Sequence, residues 1–203
     1  MRWNDILLFL NGELENPAAV RRIARSGAAI LCADGGVRHA AALGLTPRLI
    51  LGDMDSLPRR LPHWKETVYL CDFDQNASDF EKSLRFAARR KVRKVWVAGI
   101  AGGRLDHLLV NLALLESYSA VLRLELADGS ARILGPGRHV LPSKPGQRLT
   151  LMPAAPQAKV TATGLRYPLS GEVLGRNSRG LSNKAMGKSV RLRVHTGRLW
   201  VLS

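Results

Sequence analysis

The sequence predicts an α/β fold over residues 1–128, followed by a small antiparallel β unit over residues 129–203. Between residues 5 and 125, short apolar runs alternate with segments of helical periodicity. The apolar runs are continuous, which is typical of strands in a mostly parallel sheet with helices on both faces. After residue 128 the pattern changes to short two-residue alternation broken by Gly and Pro, and this change predicts an all-β region.

The first region contains six predicted strands and four predicted helices. Asn16 and Pro17 are typical of a helix start, and Ser78 and Glu81 form the pattern of a capping box. The strands are predicted at residues 5–10, 28–33, 48–51, 67–71, 94–98 and 121–126. The helices are predicted at residues 17–26, at 37–43, from residue 79 onward, and at 105–118.

The second region contains five predicted strands. Their apolar residues alternate with polar ones, so each strand would present one face to a core and the other to solvent. In sequence they read RHVLP, QRLTLMP, KVTATG, SVRLRVH and RLWVLS, and no helical pattern competes with them.

The positive charge of the chain is concentrated in this second region. The formal net charge is +15 over 203 residues. Residues 1–125 contribute 18 Lys and Arg against 14 Asp and Glu, whereas residues 126–203 contribute 13 against 2. A basic region of this kind could bind nucleic acid or a polyphosphate, and a solvated surface would also account for most of these scattered charges.

The cysteines and the amino-terminal segment indicate an intracellular protein. Cys32 and Cys71 lie in separate apolar runs without a CxxC spacing, so both are predicted to be buried free thiols. The apolar run at residues 6–10 is too short for a signal-peptide core or a membrane span. We therefore expect a cytoplasmic protein without membrane partners.

Two carboxylates follow the third predicted strand in the segment Gly52–Ser56, which reads GDMDS. Asp53 and Asp55 would project the same way if the extended conformation persists through Met54. Two like charges this close repel one another unless a cation or hydrogen-bond donors neutralise them. Oxygen ligands of this kind suit Mg²⁺, although two Asp residues in a solvated turn would give the same pattern.

Other predicted strands end in residues that favour the metal-binding interpretation. Asp34 precedes two glycines at the end of the second strand, and Asp79 is the first residue of a predicted capped helix. The segment Gly99–Arg104 follows the fifth strand and could offer backbone N–H groups and a guanidinium to a phosphate. Because the carboxyl ends of parallel strands meet at one edge of a sheet, these features together predict a metal and polyphosphate site.

Other chemistries find less support in the sequence. Asp106 and His107 begin the last helix, where His107 fits an ordinary first-turn residue better than a general base. The chain has no HExxH spacing for zinc, no GxSxG turn and no Cys-His signature. Two alternatives remain, namely a metal-dependent phosphatase with a DxD nucleophile and a nucleic-acid-binding protein that uses the basic second region.

Seven segments, in order and over most of the chain, resemble the thiamine pyrophosphokinase family. In the first region they are ADGG at residues 33–36, GDMDS at 52–56, Gln75 with SDFEK at 78–82, and GGRLDH at 102–107. In the second region they are GLRYPL at residues 164–169, LSN at 181–183 and LW at 199–200. Each segment is short, but seven in sequence are specific.

The resemblance implies an ATP-binding catalytic domain at residues 1–128 and an antiparallel, sandwich-like domain at residues 129–203. The second domain would contribute to thiamine binding and dimerisation. The implied reaction transfers diphosphate from ATP to the hydroxyl of thiamine, giving thiamine diphosphate and AMP, with Mg²⁺ as cofactor. The resemblance also implies a homodimer whose thiamine pocket takes residues from the partner subunit, and nucleic acid is not an expected partner.

The resemblance assigns roles to individual residues. Catalysis and Mg²⁺ binding fall to Asp53, Asp55 and Asp79. Binding of ATP and its phosphates falls to Asp34, Gly35, Lys82, Gly102, Gly103, Arg104 and Asp106. Thiamine binding falls to Gln75, Ser182, Asn183 and Trp200, of which Trp200 would stack on the pyrimidine ring. The chain departs from the family pattern in Met54, where Phe is usual, and in LSN, where animal members have STSN.

Overall fold

A computed structural model describes residues 3–203 of the chain. These residues form two compact units, of which the first ends at Asp128 and the second begins at Gly129. No described helix is both long enough and apolar enough to cross a membrane. Each unit has its own buried hydrophobic cluster.

The first unit is built around a six-stranded parallel sheet. Its strands are β1 (Asp5–Phe9), β2 (Ala29–Ala33), β3 (Leu49–Gly52), β4 (Val68–Cys71), β5 (Lys94–Ala98) and β6 (Arg123–Leu126). They lie in the order β6-β5-β1-β2-β3-β4, and every neighbouring pair is parallel. The predicted parallel sheet is confirmed, and all six strands end at the same edge.

Four α-helices connect these strands. They are α1 (Pro17–Arg25), α2 (Val37–Ala42), α3 (Asp79–Arg89) and α4 (Leu105–Tyr118). Two predicted helix starts are confirmed, since the Asn16 side chain accepts a hydrogen bond from the Ala19 N–H at 3.0 Å and Ser78 Oγ accepts one from the Glu81 N–H at 3.2 Å. The Glu81 carboxylate pairs with Arg85 at 2.7 Å, so only the Ser half of the predicted capping box is seen.

An aliphatic core holds the sheet of the first unit. Phe9, Cys32 and Ile50 from three adjacent strands are buried in it, together with Val20 of α1 and Val37 of α2. Full burial of an aliphatic or aromatic side chain stabilises a fold by about 1.5–3 kcal/mol. The ends of these three strands are therefore anchored in the buried core of the unit.

The edge strand β4 departs from the expectation of a sheet that is covered on both faces. All four of its side chains are exposed, including Val68, Tyr69 and Leu70. Cys71 is an exposed free thiol, so the prediction that both cysteines are buried is correct for Cys32 and wrong for Cys71. An apolar run reads the same in a central strand as in this edge strand, which pairs with β3 alone among the described strands.

The second unit is all-β, as the sequence predicts. Its strands are β7 (Ala131–Leu134), β8 (Gly137–Pro142), β9 (Arg148–Pro153), β10 (Gln157–Thr163), β11 (Leu169–Gly175), β12 (Asn183–Lys184), β13 (Ser189–Thr196) and β14 (Leu199–Leu202). They form two antiparallel groups, in the orders β12-β9-β14-β7 and β11-β10-β13-β8. Strands β7, β11 and β12 have no counterpart among the predicted strands.

Both groups of strands contribute to one core in the second unit. Leu151 and Val201 of the first group share a buried cluster with Val160 and Leu192 of the second group. Two antiparallel sheets that meet through inward-facing aliphatic side chains correspond to the sandwich-like arrangement that the resemblance implies.

The exposed surface of the second unit is strongly basic. Residues 129–203 contain thirteen Lys and Arg but a single acidic residue, Glu172, which pairs with Arg179 at 2.7 Å. In the register of β8 and β13, the exposed Arg138 lies directly opposite the exposed Arg193. Like charges in directly opposed positions destabilise a sheet. The positive charge of this unit therefore includes one pair of arginines that repel each other across neighbouring strands.

Candidate functional site

The carboxyl edge of the parallel sheet carries a cleft of about 450 Å³. The segments that follow β1, β2, β3, β4 and β5 line this cleft, as do the first turns of α3 and α4. Open α/β sheets bind ligands outside the carboxyl ends of their strands, where helix starts also present free backbone N–H groups. The cleft lies at the edge where the sequence predicts a metal and polyphosphate site.

Asp34 is a buried acidic residue of the cleft, only 3% exposed. It follows β2 and has a left-handed φ of 38°, which few residues other than glycine adopt. Asp34 Oδ2 accepts a hydrogen bond from the Ser56 N–H at 3.0 Å, whereas Oδ1 is buried without a hydrogen-bond partner among residues 3–203. Burial, reinforced by the nearby carboxylates of Asp55 and Asp79, raises the pKa of Asp34 to about 6.

Asp53 and Asp55 lie in a tight turn rather than in an extension of β3. Met54 between them has a left-handed φ of 69°, and the Asp55 N–H donates to Asp53 Oδ1 at 3.3 Å. The extended conformation considered from the sequence is therefore not adopted, because the Asp53 side chain turns the backbone through a local hydrogen bond. Ser56 Oγ donates to the Asp55 carboxylate at 2.8 Å, and this bond lowers the pKa of Asp55.

The turn nevertheless brings Asp53 and Asp55 to Asp34. Each of the three residues offers one carboxylate oxygen, and these atoms lie within 4.8 Å of one another. Three carboxylate oxygens fit a hard divalent cation, and the unpartnered Oδ1 of Asp34 is the kind of buried polar atom that a cation would satisfy. The geometry thus makes Asp34 a candidate ligand in addition to the two predicted ones.

Asp79, the third predicted metal ligand, lies beside this group rather than in it. It is the first residue of α3, and its Oδ1 accepts a hydrogen bond from Lys82 Nζ at 3.1 Å. Burial raises the pKa of Asp79, and the negative charges of Asp53 and Asp55 add to this effect while Lys82 opposes it. Asp79 therefore interacts with the cluster through charge, and its role as a metal ligand stays a prediction.

Gly52, the last residue of β3, allows two carboxylates to approach each other. A Cβ atom on Gly52 would lie 2.8 Å from Asp34 Cβ and 3.0 Å from Asp79 Cγ. Atoms of unstrained side chains do not come so close, so any larger residue would push these carboxylates away. A glycine at this strand end is a requirement of the site geometry.

The glycine-rich segment after β5 forms another wall of the cleft. Gly102 has a φ of 84°, and a Cβ atom there would collide with the Glu13 side chain. Arg104 also lines the cleft, and its exposed guanidinium pairs with the Asp106 carboxylate through two nitrogens, one at 3.1 Å. This pairing lowers the pKa of Asp106, which is not itself among the lining residues.

Three other residues predicted to bind phosphate also line the cleft, namely Gly35, Gly103 and Lys82. Lys82 is only 4% exposed, and its Nζ donates to the backbone oxygen of Asp72 at 2.8 Å as well as to Asp79. The Lys82 ammonium therefore holds the start of α3 against the segment that follows β4. Its direct contact with phosphate stays a prediction.

The four residues predicted to bind thiamine are divided between the two units. Gln75 is exposed and lines the cleft of the first unit. In the second unit, Ser182 is exposed and Trp200 is only 4% exposed. The amide of the buried Asn183 bonds the Tyr167 backbone at both ends, accepting from its N–H at 3.1 Å and donating to its oxygen at 2.7 Å. Their roles toward thiamine stay predictions.

Sequence reasoning missed the segment that follows β1. Asn11 and Gly12 line the cleft, and the Gly12 backbone oxygen accepts hydrogen bonds from Arg38 and from His39 Nε2, both at 2.7 Å. Burial lowers the pKa of His39, which favours the neutral ring with a hydrogen on Nε2. The rule that ligands bind at strand ends applies to the Asn-Gly pair after the first strand and could have found it.

These features define a class of protein. Carboxylates, glycine-rich turns and helix starts along the carboxyl edge of a parallel sheet are typical of enzymes that bind a nucleotide together with a divalent cation. The sequence model of the thiamin pyrophosphokinase catalytic domain matches residues 20–125, which is more than half of the 203 residues. The chain belongs to the thiamin pyrophosphokinase family, as its motifs predict.

Curated relatives carry the same family name. The chain is 25% identical to thiamine pyrophosphokinase 1 of Oryza sativa subsp. japonica, over 85% of this chain and 78% of that protein. It is 26% identical to thiamine pyrophosphokinase of Bacillus subtilis, over 68% of this chain and 68% of that protein. These relatives lend no support to the phosphatase or the nucleic-acid-binding alternative.

Solved structures share the fold. The crystal structure of thiamine pyrophosphokinase from Bacillus subtilis superposes with a TM-score of 0.82 at 20% identity, covering 98% of this chain and 97% of that one. Thiamin pyrophosphokinase from Candida albicans gives a TM-score of 0.75 at 14% identity, covering 98% and 88%. At these identities the likeness establishes the fold alone, so residue roles depend on the geometry of this chain.

Proposed function

We propose that the chain is a Mg²⁺-dependent thiamine diphosphokinase, which makes thiamine diphosphate and AMP from thiamine and ATP. Membership of the thiamin pyrophosphokinase family supports this reaction. One observation carries the assignment of the site, namely the convergence of three carboxylate oxygens within 4.8 Å in a cleft that also has a glycine-rich wall. The match to the catalytic-domain model covers residues 20–125, which include both the acidic cluster and the glycine-rich wall.

The acidic cluster suits a cation because its own charges repel. Asp34, Asp53, Asp55 and Asp79 bring together as many as four negative charges, and Lys82 is the buried cation that directly opposes them. We assign Mg²⁺ to Asp53, Asp55 and Asp79, with Asp34 as an additional ligand. Mg²⁺ is usually held by one or two carboxylates plus substrate phosphates, and when bound it neutralises charge on the transferring group.

The transfer forms one P–O bond and breaks another. The thiamine hydroxyl oxygen attacks the β-phosphorus of ATP, the bond from that phosphorus to the oxygen bridging the α-phosphorus breaks, and AMP leaves with this oxygen. The hydroxyl proton passes to a carboxylate of the acidic cluster. Such a reaction needs chiefly positioning and charge neutralisation, which Arg104 and the backbone N–H groups of Gly102 and Gly103 would supply to the phosphates.

Thiamine is proposed to bind through Gln75 and through Ser182, Asn183 and Trp200 of the second unit. Gln75 and Ser182 are the exposed side chains of this set, so they are the ones available for direct hydrogen bonds. Trp200 is assigned stacking on the uncharged pyrimidine ring, which contributes about 0.5–1.5 kcal/mol beyond the buried area. This part requires the Trp200 ring, only 4% exposed, to be uncovered when thiamine binds. Asn183 would act mainly by holding the Tyr167 backbone.

The test is incubation of the purified full chain with ATP, thiamine and Mg²⁺. We expect thiamine diphosphate and AMP in equal amounts, because each transfer releases one AMP. Chelation of divalent cations should stop both products, and added Mg²⁺ should restore them. Release of orthophosphate without thiamine diphosphate would contradict the proposal and favour the phosphatase alternative.

We also propose that the chain forms a homodimer through α4. Leu105, Leu109 and Val110 are 68%, 59% and 53% exposed, and the exposed Ala113 continues the same helix face. Exposed apolar patches of this kind mark interaction surfaces. The first turn of α4 also lines the cleft, so a second copy seated on this face would adjoin the site.

Leu109→Glu is expected to turn the dimer into a monomer, because it places a charge in the middle of the apolar face. Light scattering or sedimentation should give twice the chain mass for the unaltered protein and the single chain mass for the variant. Ala18→Glu adds the same charge to an exposed position of α1 and should leave the mass of the dimer unchanged. A dimeric Leu109→Glu variant, or a monomeric unaltered protein at micromolar concentration, would contradict the assignment.

A further inference from the structure

The segment after β1 is held by one arginine of α2. Arg38 Nε donates to Asn11 Oδ1 at 2.7 Å, and its NH2 group donates to the backbone oxygens of Asn11 at 2.8 Å and Gly12 at 2.7 Å. His39 Nε2 adds a second contact to the Gly12 oxygen. This concentration of charge-assisted hydrogen bonds on two residues fixes both the backbone and the Asn11 side chain.

The same segment contacts the glycine-rich wall on its other side. The Gly12 N–H donates to the Gly99 oxygen at 2.9 Å, and the Glu13 N–H donates to the Ala101 oxygen at 2.7 Å. A Cβ atom on Gly12 would lie 2.1 Å from the Ala101 oxygen, so the contact requires glycine. Arg38 therefore influences the wall that is assigned to the phosphates, through the segment that it holds.

The bond to Arg38 decides which end of the Asn11 amide is free. A guanidinium has donors and no acceptor, so the Asn11 atom that faces Arg38 Nε must be Oδ1. The Nδ2 group then lies at the other end, 2.7 Å from where a Gly35 Cβ atom would be. Asn11 and Gly35 both line the cleft, and Asn11 is exposed. The Asn11 amide thus places two N–H donors beside Gly35, the residue that follows Asp34.

We infer that Asn11 Nδ2 donates a hydrogen bond to an oxygen of the bound nucleotide, and that Arg38 is the positioning residue that aims it. This inference rests on the proposed function for the identity of the nucleotide, ATP. The acceptor is a phosphate oxygen or a ribose hydroxyl, because both accept the same amide donor. Arg38 acts through Asn11 and Gly12, since its own donors are directed at them and it is not among the lining residues.

Asn11→Asp tests the inference with almost no change of shape. The new carboxylate keeps an oxygen toward Arg38, replaces the Nδ2 donor with a second acceptor and adds a negative charge. Asn11→Ala, which removes the donor without adding a charge, is therefore measured beside it and should also raise the Kd. We expect the KM for ATP and the directly measured Kd of the ATP–Mg²⁺ complex to rise about tenfold, with kcat within about threefold of the unaltered protein. The KM for thiamine should not change.

Further variants separate positioning from folding. Arg38→Ala should raise the Kd for ATP as Asn11→Asp does, and Arg38→Lys should recover part of the loss because an ammonium still donates to the backbone oxygens. Arg25→Ala, which removes an exposed arginine of α1, is the matched control and should bind ATP normally. Tripolyphosphate, which has no ribose, distinguishes the two possible acceptors. Its affinity should fall in Asn11→Asp if Asn11 contacts a phosphate oxygen, and should not change if Asn11 contacts the ribose.

Kd is measured without thiamine, so it stays informative even if transfer to thiamine is not observed. Unchanged ATP affinity in Asn11→Asp, within about twofold, would overturn the inference and leave Arg38 a purely structural residue. An equal loss in Arg25→Ala would also overturn it, because the effect would then come from net charge.

Discussion

Asp53→Asn is expected to reduce kcat/KM by about 10²–10³-fold or more and at the same time to stabilise the protein without metal. The activity falls because an amide binds a divalent cation less strongly than a carboxylate, so charge on the transferring group is less well neutralised. The stability rises because the substitution removes one of several negative charges that interact at the site. A loss of activity through misfolding would instead lower the stability.

The measurement combines turnover with thermal unfolding. The unaltered protein should show a Tm that increases with Mg²⁺, and Asp53→Asn should show a higher Tm without Mg²⁺ and little further increase with it. Asp55→Asn is expected to lose turnover in the same way but without the rise in Tm, because the hydrogen bond from Ser56 Oγ stabilises the Asp55 carboxylate in the folded protein. Glu66→Gln, which neutralises an exposed carboxylate elsewhere in the first unit, should leave turnover and the response to Mg²⁺ unaltered. Near-normal turnover in both Asp variants would refute the metal assignment.

Gly52→Ala is expected to reduce turnover by about 100-fold although it changes no charged group. The added methyl would lie 2.8 Å from Asp34 Cβ and 3.0 Å from Asp79 Oδ1, so the two carboxylates must move apart or the end of β3 must shift. Displacements of about 1 Å near reacting groups can cost about 100-fold in rate. The crowding should also lower the free energy of unfolding by about 1–3 kcal/mol.

Gly187→Ala is the appropriate comparison for Gly52→Ala. No atom lies within 4 Å of a Cβ at Gly187, and its φ does not require glycine. That variant should keep both turnover and stability. If Gly52→Ala retained normal turnover, the close approach of Asp34 and Asp79 would have no part in catalysis.

The helix starts and the long helices could be predicted because their signals are local. Asn16 and Ser78 are caps whose partners lie three residues away, and the apolar segment Leu105–Tyr118 is a helix with the predicted bounds. Strands β7, β11 and β12 were not predicted, because the sequence carries no comparable local signal for them. The last of these is only two residues long, Asn183–Lys184, and its pairing partner β9 lies more than thirty residues earlier in the chain.

The site was predictable as a location but not as a geometry. Strand ends pointed to Asp34 and Asp53, because the edge of a parallel sheet follows from the fold class. The hydrogen bond from the Ser56 N–H to Asp34 joins residues 22 positions apart, so it has no local sequence signal. The left-handed φ of Met54 turns the backbone out of the extended conformation that the sequence had suggested for Asp53 and Asp55. The hydrogen bonds from Arg38 to Asn11 join residues 27 positions apart, so no local sequence pattern predicts them.

The opposed arginines of β8 and β13 make the stability of the second unit depend on the salt concentration. Salt weakens the repulsion among the exposed arginines of this unit, and at 0.1 M it screens mainly those more than about 10 Å apart, whereas the directly opposed Arg138 and Arg193 are screened less. Because that unit has a single acidic residue, its counterions must come largely from the medium. Desalting should therefore loosen this part of the protein, quite apart from any effect on the catalytic cleft.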